Sequence, residues 1–232
     1  MSNFSPLTIV FPIYPGVTQL DFTGPHQFFS RLPGVKPVVA SIEGKSIVGD
    51  GLTFSDLVSL EQIDRCDVLC VPGGFGCTDA IQDPRYLSAI QLLAENARYI
   101  TSVCTGSLIL GAAGLLEGKR AACHWAWREF LPLFGAIPDL GRVVRDDNTI
   151  TGGGVTAGID FALTVAAELT DPTIAQSVQL GLEYAPAPPF DAGTPDGAPA
   201  DVLARVRSLM GKAAVKRRAA LEQVAERFAN SQ

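Results

Sequence analysis

Apolar residues along the chain fall into short β-branched runs separated by segments of helical spacing. Leu7-Thr-Ile-Val-Phe-Pro-Ile13 reads as a buried strand, punctuated by Tyr14-Pro-Gly-Val17. A helix is predicted to start near Thr23-Gly-Pro25, with Pro25 in the first turn, where its missing N–H is harmless. Strands follow at Pro37–Ile42 and Asp67–Val71, the second running into the glycine loop Pro72-Gly-Gly-Phe-Gly76. Tyr86–Asn96 has helical spacing, Tyr99–Val103 is strand-like, and Gly106–Leu116 reads as a helix closed by Glu117-Gly118. Val143–Arg145 and Asn148–Thr151 form a predicted hairpin across Asp146-Asp147, leading into Gly152–Gly154 and a helix from Thr156 to Leu169. Asp171-Pro172 opens another helix with an N-cap and a first-position proline.

Strands alternating with helices make an α/β fold with a mostly parallel sheet. Such sheets place their sites beyond the carboxyl ends of strands, here the loops after Val71, Val103 and Ile150. The stretch from Tyr184 to Pro199 is too rich in proline and glycine for regular structure. Beyond it, Asp201–Phe228 reads as a long helix with Leu203, Val206, Met210, Ala213, Leu221, Val224 and Phe228 along one side. Arg217 interrupts that stripe. The cluster Lys212, Lys216, Arg217 and Arg218 reads as a solvated face, because the rest of the chain is acidic.

Composition narrows the class. The chain has 232 residues, 47% hydrophobic and 18% charged, which describes a compact globule and rules out a disordered chain. A net charge of −6 argues against a nucleic-acid partner. No stretch has the roughly 20 apolar residues of a membrane span, and the N-terminus does not read as a signal peptide. Five cysteines (Cys66, Cys70, Cys77, Cys104 and Cys123) are therefore expected as reduced thiols in the cytoplasm. The Cys66-x3-Cys70 spacing has no second pair to complete a zinc site, so no metal is expected.

Chemistry concentrates at Cys104. It follows the strand Tyr99–Val103 directly and precedes Thr105-Gly106 and a helix. A nucleophile at such a tight strand-to-helix turn has its side chain exposed above the sheet. The helix N-terminus beneath the sulfur favours thiolate over thiol, and its free N–H groups can hold a developing negative charge. The other four cysteines read as structural.

Thr101-Ser-Val-Cys-Thr-Gly-Ser-Leu-Ile-Leu-Gly-Ala-Ala-Gly-Leu-Leu-Glu-Gly-Lys-Arg-Ala-Ala-Cys-His-Trp125 resembles the cysteine elbow of the DJ-1/PfpI superfamily. Asp67-Val-Leu-Cys-Val-Pro-Gly-Gly74 and Thr151-Gly-Gly-Gly-Val-Thr-Ala-Gly-Ile-Asp160 are similar to its other signature segments. Within it, Gln19-Leu-Asp-Phe-Thr-Gly-Pro-His26 combined with Glu183-Tyr-Ala-Pro-Ala-Pro-Pro-Phe190 resembles bacterial isocyanide hydratases. The resemblance implies a flavodoxin-like helix–sheet–helix sandwich of the class I glutamine amidotransferase type, a homodimer and no cofactor. It also implies a catalytic domain over residues 1–190, with residues 191–232 as a loop and long helix packed on the same domain or on the dimer partner. Asp21 occupies the position of the acid that reaches the sulfur. Gly74 and Thr105 match the positions whose backbone N–H groups form the family's anion hole, and Gly153 and Val155 are expected to line the pocket. His124 reads as a hydrogen-bonded side chain beside Trp125, and His26 receives no role.

PfpI-type peptidases have histidine directly after the nucleophile, where this chain has Thr105. Proteolysis needs a base to protonate the leaving amine. Isocyanide hydration expels no amine at its first step, so one nucleophile, one acid/base and a pocket suffice. The expected reaction is therefore hydration of a small-molecule isocyanide to an N-substituted formamide through a cysteine thioimidate. The alternatives are a glyoxalase or deglycase acting on 2-oxoaldehydes with the same cysteine and acid, an oxidisable cysteine sensor, and the ligand-sensing half of an AraC-type regulator. The last requires about 100 further residues of helix-turn-helix units, and only about 40 follow Phe190.

Overall fold

The computed structural model describes residues 6–229, without the side chains of residues 212, 216 and 227–229. Chain order begins β1 (Leu7–Pro12), α1 (Gln19–Phe29), β2 (Val35–Ser41), the hairpin β3 (Ile47–Gly49) and β4 (Leu52–Phe54), then β5 (Val58–Ser59) and β6 (Val68–Val71). Next come α2 (Cys77–Gln82), α3 (Pro84–Asn96), β7 (Tyr99–Val103), α4 (Gly106–Ala112), β8 (Arg120–Ala121) and β9 (Ile137–Pro138). The chain closes with β10 (Val143–Asp146), β11 (Thr149–Gly152), α5 (Ala157–Leu169), α6 (Pro172–Gly181) and α7 (Ala200–Ala229).

Seven strands form one sheet in the order β10-β11-β7-β6-β1-β2-β5, parallel except for β10. The central strands β6 and β7 are buried at every position, which is why they read as continuous apolar or β-branched runs. Helices α1, α5 and α6 pack together on one side, and α2, α3 and α4 on the other. This is the expected flavodoxin-like sandwich. Register aligns Val71 with Ser102 and Val103 with Gly152, so the loops leaving β6, β7 and β11 meet at one end of the sheet.

Local physics moved several boundaries. Helix α1 starts at Gln19 and carries Pro25 in its interior. Its N-terminal donors have partners in the loops: Thr18 N–H bonds Gly73 O at 3.0 Å and Gln19 N–H bonds Asp50 Oδ2 at 2.8 Å. The helix therefore forms despite the proline, and Asp21 lies in its first turn rather than ahead of it. Helix α4 ends at Ala112 because Gly114, at φ +78°, breaks it before Gly118 is reached. The hairpin turns on Asp147-Asn148, with Asp147 at φ +55°. Asp171 caps α6, accepting from the N–H groups of Thr173 and Ile174.

Helix α7 packs against α2, α4 and the 3₁₀ segment Arg128–Phe134 of the same chain. Leu221 and Val224 are buried beneath it. Arg217 is buried too, at 3% exposure, so the expectation of a solvated basic face fails at its central residue. It accounts for the break in the apolar stripe. Arg218 does face solvent, paired with Glu129 and Glu222, while the side chains of Lys212, Lys216 and Phe228 lie outside the described set.

Two glycines separate tight packing from open surface. A Cβ on Gly106 would lie 2.1 Å from the Val71 carbonyl oxygen, whereas one on Gly211 meets nothing within 4 Å. Gly106→Ala should lose about 1–3 kcal/mol through overpacking, and Gly211→Ala should gain about 0.5–1 kcal/mol through helix propensity. Urea unfolding of the two variants checks the contrast, and equal effects would contradict it.

Candidate active site

Cys104 stands at the junction of β7 and α4 with φ +60°, a region that non-glycine residues rarely occupy. Its N–H is shared between the carbonyls of Gly152 at 3.1 Å and Gly153 at 2.8 Å. Those bonds hold a conformation that costs on the order of 1–3 kcal/mol. Behind the elbow, Ser102 Oγ and Ser107 Oγ are 2.8 Å apart, and Ser107 Oγ donates to Ala122 O at 2.5 Å. Ala122 N–H in turn donates to Thr151 Oγ1 at 2.8 Å, which ties Cys123-His124 to the same end of the sheet.

Asp21 is fully buried, and its Oδ2 accepts the Gly73 N–H at 2.9 Å. Oδ1 makes no hydrogen bond among the described residues. Burial pushes the carboxyl up to about 7, against the opposing pull of the Gly73 N–H and the Cys104 side chain. Cys104 moves the same way. Burial raises its thiol well above the ordinary value, Asp21 and Cys123 add to the rise, and the Thr105 N–H opposes. The helix N-terminus does favour thiolate, through the Thr105 N–H, but burial acts more strongly the other way. Desolvation of a completely buried sulfur outweighs one N–H from a short helix. Both shifts favour retention of a proton by the pair.

The flanking groups are arranged around this pair. Gly74 N–H donates to Thr105 Oγ1 at 2.9 Å, while the Thr105 N–H faces the sulfur. Tyr14 Oη donates to Pro72 O at 3.0 Å and anchors the glycine loop. Gly153 does not line the cavity as expected. Its carbonyl holds the Cys104 amide and its own N–H donates to Arg142 O at 2.9 Å, placing it behind the elbow. Val155 does line the cavity, a space of about 140 Å³ that also touches Gly74, Phe75, Cys104, Thr105 and His124. Trp127, together with Met210 and Arg217 of α7, closes the wall.

His124 joins the cavity as a neutral imidazole. Burial, then the positive charges of Arg217 and Arg128, lower it to about 4. Its Nδ1 accepts the Ala126 N–H at 3.2 Å, and its ring stacks on Trp125. The other four cysteines are buried free thiols, and no group of three or more metal-ligating side chains occurs among the described residues. Sequence reasoning missed Trp127 and Arg217. The signal for Arg217 was present, as a charge on the apolar side of an amphipathic helix.

The DJ-1/PfpI family matches residues 7–168. An isonitrile hydratase of Pseudomonas putida is 52% identical over 205 residues, covering 87% of this chain and 89% of that protein. A solved THiJ/PfpI family protein from Pseudomonas syringae superposes with a TM-score of 0.89 at 42% identity, covering 95% of this chain and 90% of that one. The HTH-type transcriptional regulator CdhR of Pseudomonas aeruginosa is 34% identical over 146 residues, which span 61% of this chain but only 40% of the regulator. With its cysteine elbow and parallel sheet, the chain belongs to the DJ-1/PfpI family.

The raised Asp21 carboxyl has a thermodynamic signature. A group protonated more readily in the folded state stabilises at low pH, and that contribution disappears as pH rises from about 4 through about 7. Wild type should therefore lose up to about 4 kcal/mol relative to Asp21→Asn across this range, with a constant difference above it. Urea titrations of both proteins between pH 4 and 8 check this. A difference independent of pH would show an ordinary carboxyl.

Proposed function

We propose that this chain hydrates isocyanides to N-substituted formamides, with Cys104 as nucleophile and Asp21 as the proton-handling acid/base. The observation that carries the reading is the buried Cys104–Asp21 pair, whose cysteine lines a small cavity beside a weakly basic histidine. Proteolysis is disfavoured because Thr105, not histidine, follows Cys104 and the His124 imidazole in the cavity is only weakly basic. The name of the Pseudomonas putida relative supports the substrate class.

The chemistry follows from the proton count. Cys104 sulfur bonds to the terminal carbon of R–N≡C while the proton held by the pair passes from Asp21 to that carbon, giving the thioimidate R–N=CH–S–Cys104. The net change is addition of S–H to one carbon. Water then adds to that carbon, Asp21 taking one of its protons and passing it to the nitrogen, which gives R–NH–CH(OH)–S–Cys104. The C–S bond breaks, the sulfur recovers its proton, and R–NH–CHO leaves. Thr105 N–H and Gly74 N–H serve the charged stages. Gly74 N–H is held by the Thr105 hydroxyl in the resting site and becomes available when that hydroxyl turns. The walls from Phe75, Trp127, Val155 and Met210 suit an apolar R group.

No helix among the described residues is long and apolar enough to cross a membrane. We place the protein in the cytoplasm, where its five buried cysteines remain reduced. We also infer a two-fold homodimer, the commonest closed assembly.

Cys104→Ala should abolish formamide production while the fold survives, because the covalent step has no substitute. Asp21→Asn should lower turnover by roughly 10²–10⁴, the usual worth of general acid–base catalysis, and Asp21→Glu should be milder. Formamide release from an aryl isocyanide, assayed beside consumption of methylglyoxal, checks the reaction. Turnover in Cys104→Ala, or methylglyoxal as the better substrate, would overturn it. Sedimentation at micromolar concentration should give twice the 24.5 kDa chain mass, and a species at the chain mass alone would contradict the dimer.

A further inference from the structure

The hydration steps leave the guanidinium of Arg217 in the cavity unused. It reaches the site from α7, 3% exposed, and its guanidinium carbon lies 3.9 Å from the centroid of the Trp127 ring. Nη2 donates to Phe75 O at 3.3 Å and, at 3.5 Å, to Gly74 O. Among the described residues no carboxylate pairs with it, whereas the neighbouring Arg218 pairs with both Glu129 and Glu222. A buried cation held only by carbonyl oxygens and a ring face is expensive unless negative charge lies nearby. The cavity that Arg217 lines is also lined by Cys104.

Resting on the reading of Cys104 as nucleophile, we propose that Arg217 is a positioning residue for that nucleophile. From α7 it clamps the Gly74 and Phe75 carbonyls and supplies the positive field that stabilises the sulfur as it loses its proton. The remaining groups around the sulfur cannot take this part. Asp21 of α1 and Cys123 oppose the thiolate, and Tyr14 after β1 and Cys77 of α2 carry no positive charge. His124 is uncharged near neutrality. Arg128 donates to Cys123 O at 3.5 Å and does not line the cavity. The C-terminal helix is thereby part of the active site, and its contribution is electrostatic as well as steric.

The test reads the sulfur directly, without isocyanide. Alkylation of the full-length protein by iodoacetamide, followed at Cys104 by peptide mass spectrometry between pH 5 and 10, gives the pH profile of thiolate formation. Arg217→Gln should move that profile to higher pH by about one unit and lower kcat/KM for an aryl isocyanide by roughly 10- to 100-fold. Arg217→Lys, which keeps the charge but loses the planar fork, should restore the profile while recovering only part of kcat/KM. Arg218→Gln removes the same charge from the exposed face and should leave the profile in place.

A second readout needs no variant. Wild-type Cys104 should favour anionic iodoacetate over neutral iodoacetamide several-fold more than a small free thiol does. An unchanged profile in folded Arg217→Gln, or a wild-type preference no greater than that of the free thiol, overturns the role of Arg217. If Cys104 is not the residue alkylated, the nucleophile reading itself falls.

Discussion

The Cys104 amide, shared between the Gly152 and Gly153 carbonyls, is the constraint from which the active site hangs. Without those bonds, a non-glycine residue would have little reason to remain at φ +60°. That conformation turns the chain directly from β7 into α4, so the sulfur stands above the sheet where the loops after β6 and β11 converge. The carbonyls come from the end of β11 and the residue after it, and the pairing of β11 with β7 is set by the buried core. Core packing is thereby converted into the position of one reactive atom.

Burial has opposite consequences for the two reacting groups and for His124. It raises the Asp21 carboxyl to about 7 and the Cys104 thiol well above its ordinary value, which keeps a transferable proton in the pair. It lowers His124 to about 4, which leaves the imidazole neutral and weakly basic. A site with one mobile proton and no imidazolium suits addition to an unsaturated carbon better than expulsion of an amine. Arg217 supplies fixed positive charge without supplying a proton.

Much of the fold was legible because the sheet is buried on both faces. Strands such as Tyr99–Val103 could be placed to the residue from their apolar runs and flanking turns. Helix ends were harder. Pro25 read as a first-turn residue, yet loop partners for the Thr18 and Gln19 amides let α1 begin earlier, a tertiary effect with no local mark. Within the site, Cys104 was visible from its strand-turn-helix context and Asp21 through resemblance. Gly153 was assigned to the cavity wall because spacing does not distinguish a residue facing the pocket from one bonded behind the elbow. Arg217 lies 113 residues from Cys104 by numbering, on a helix of charged composition, and only the packing of α7 on the 3₁₀ segment brings it to Trp127.

The central claim is that isocyanide carbon becomes bonded to Cys104 sulfur and to the proton held with Asp21. Rapid acid quench during turnover of an aryl isocyanide, followed by mass spectrometry of the digested protein, tests it most directly. The account predicts a transient adduct on the Cys104 peptide equal in mass to one intact isocyanide, decaying as formamide appears. Steady formamide production with the Cys104 peptide unmodified at every time point would contradict it.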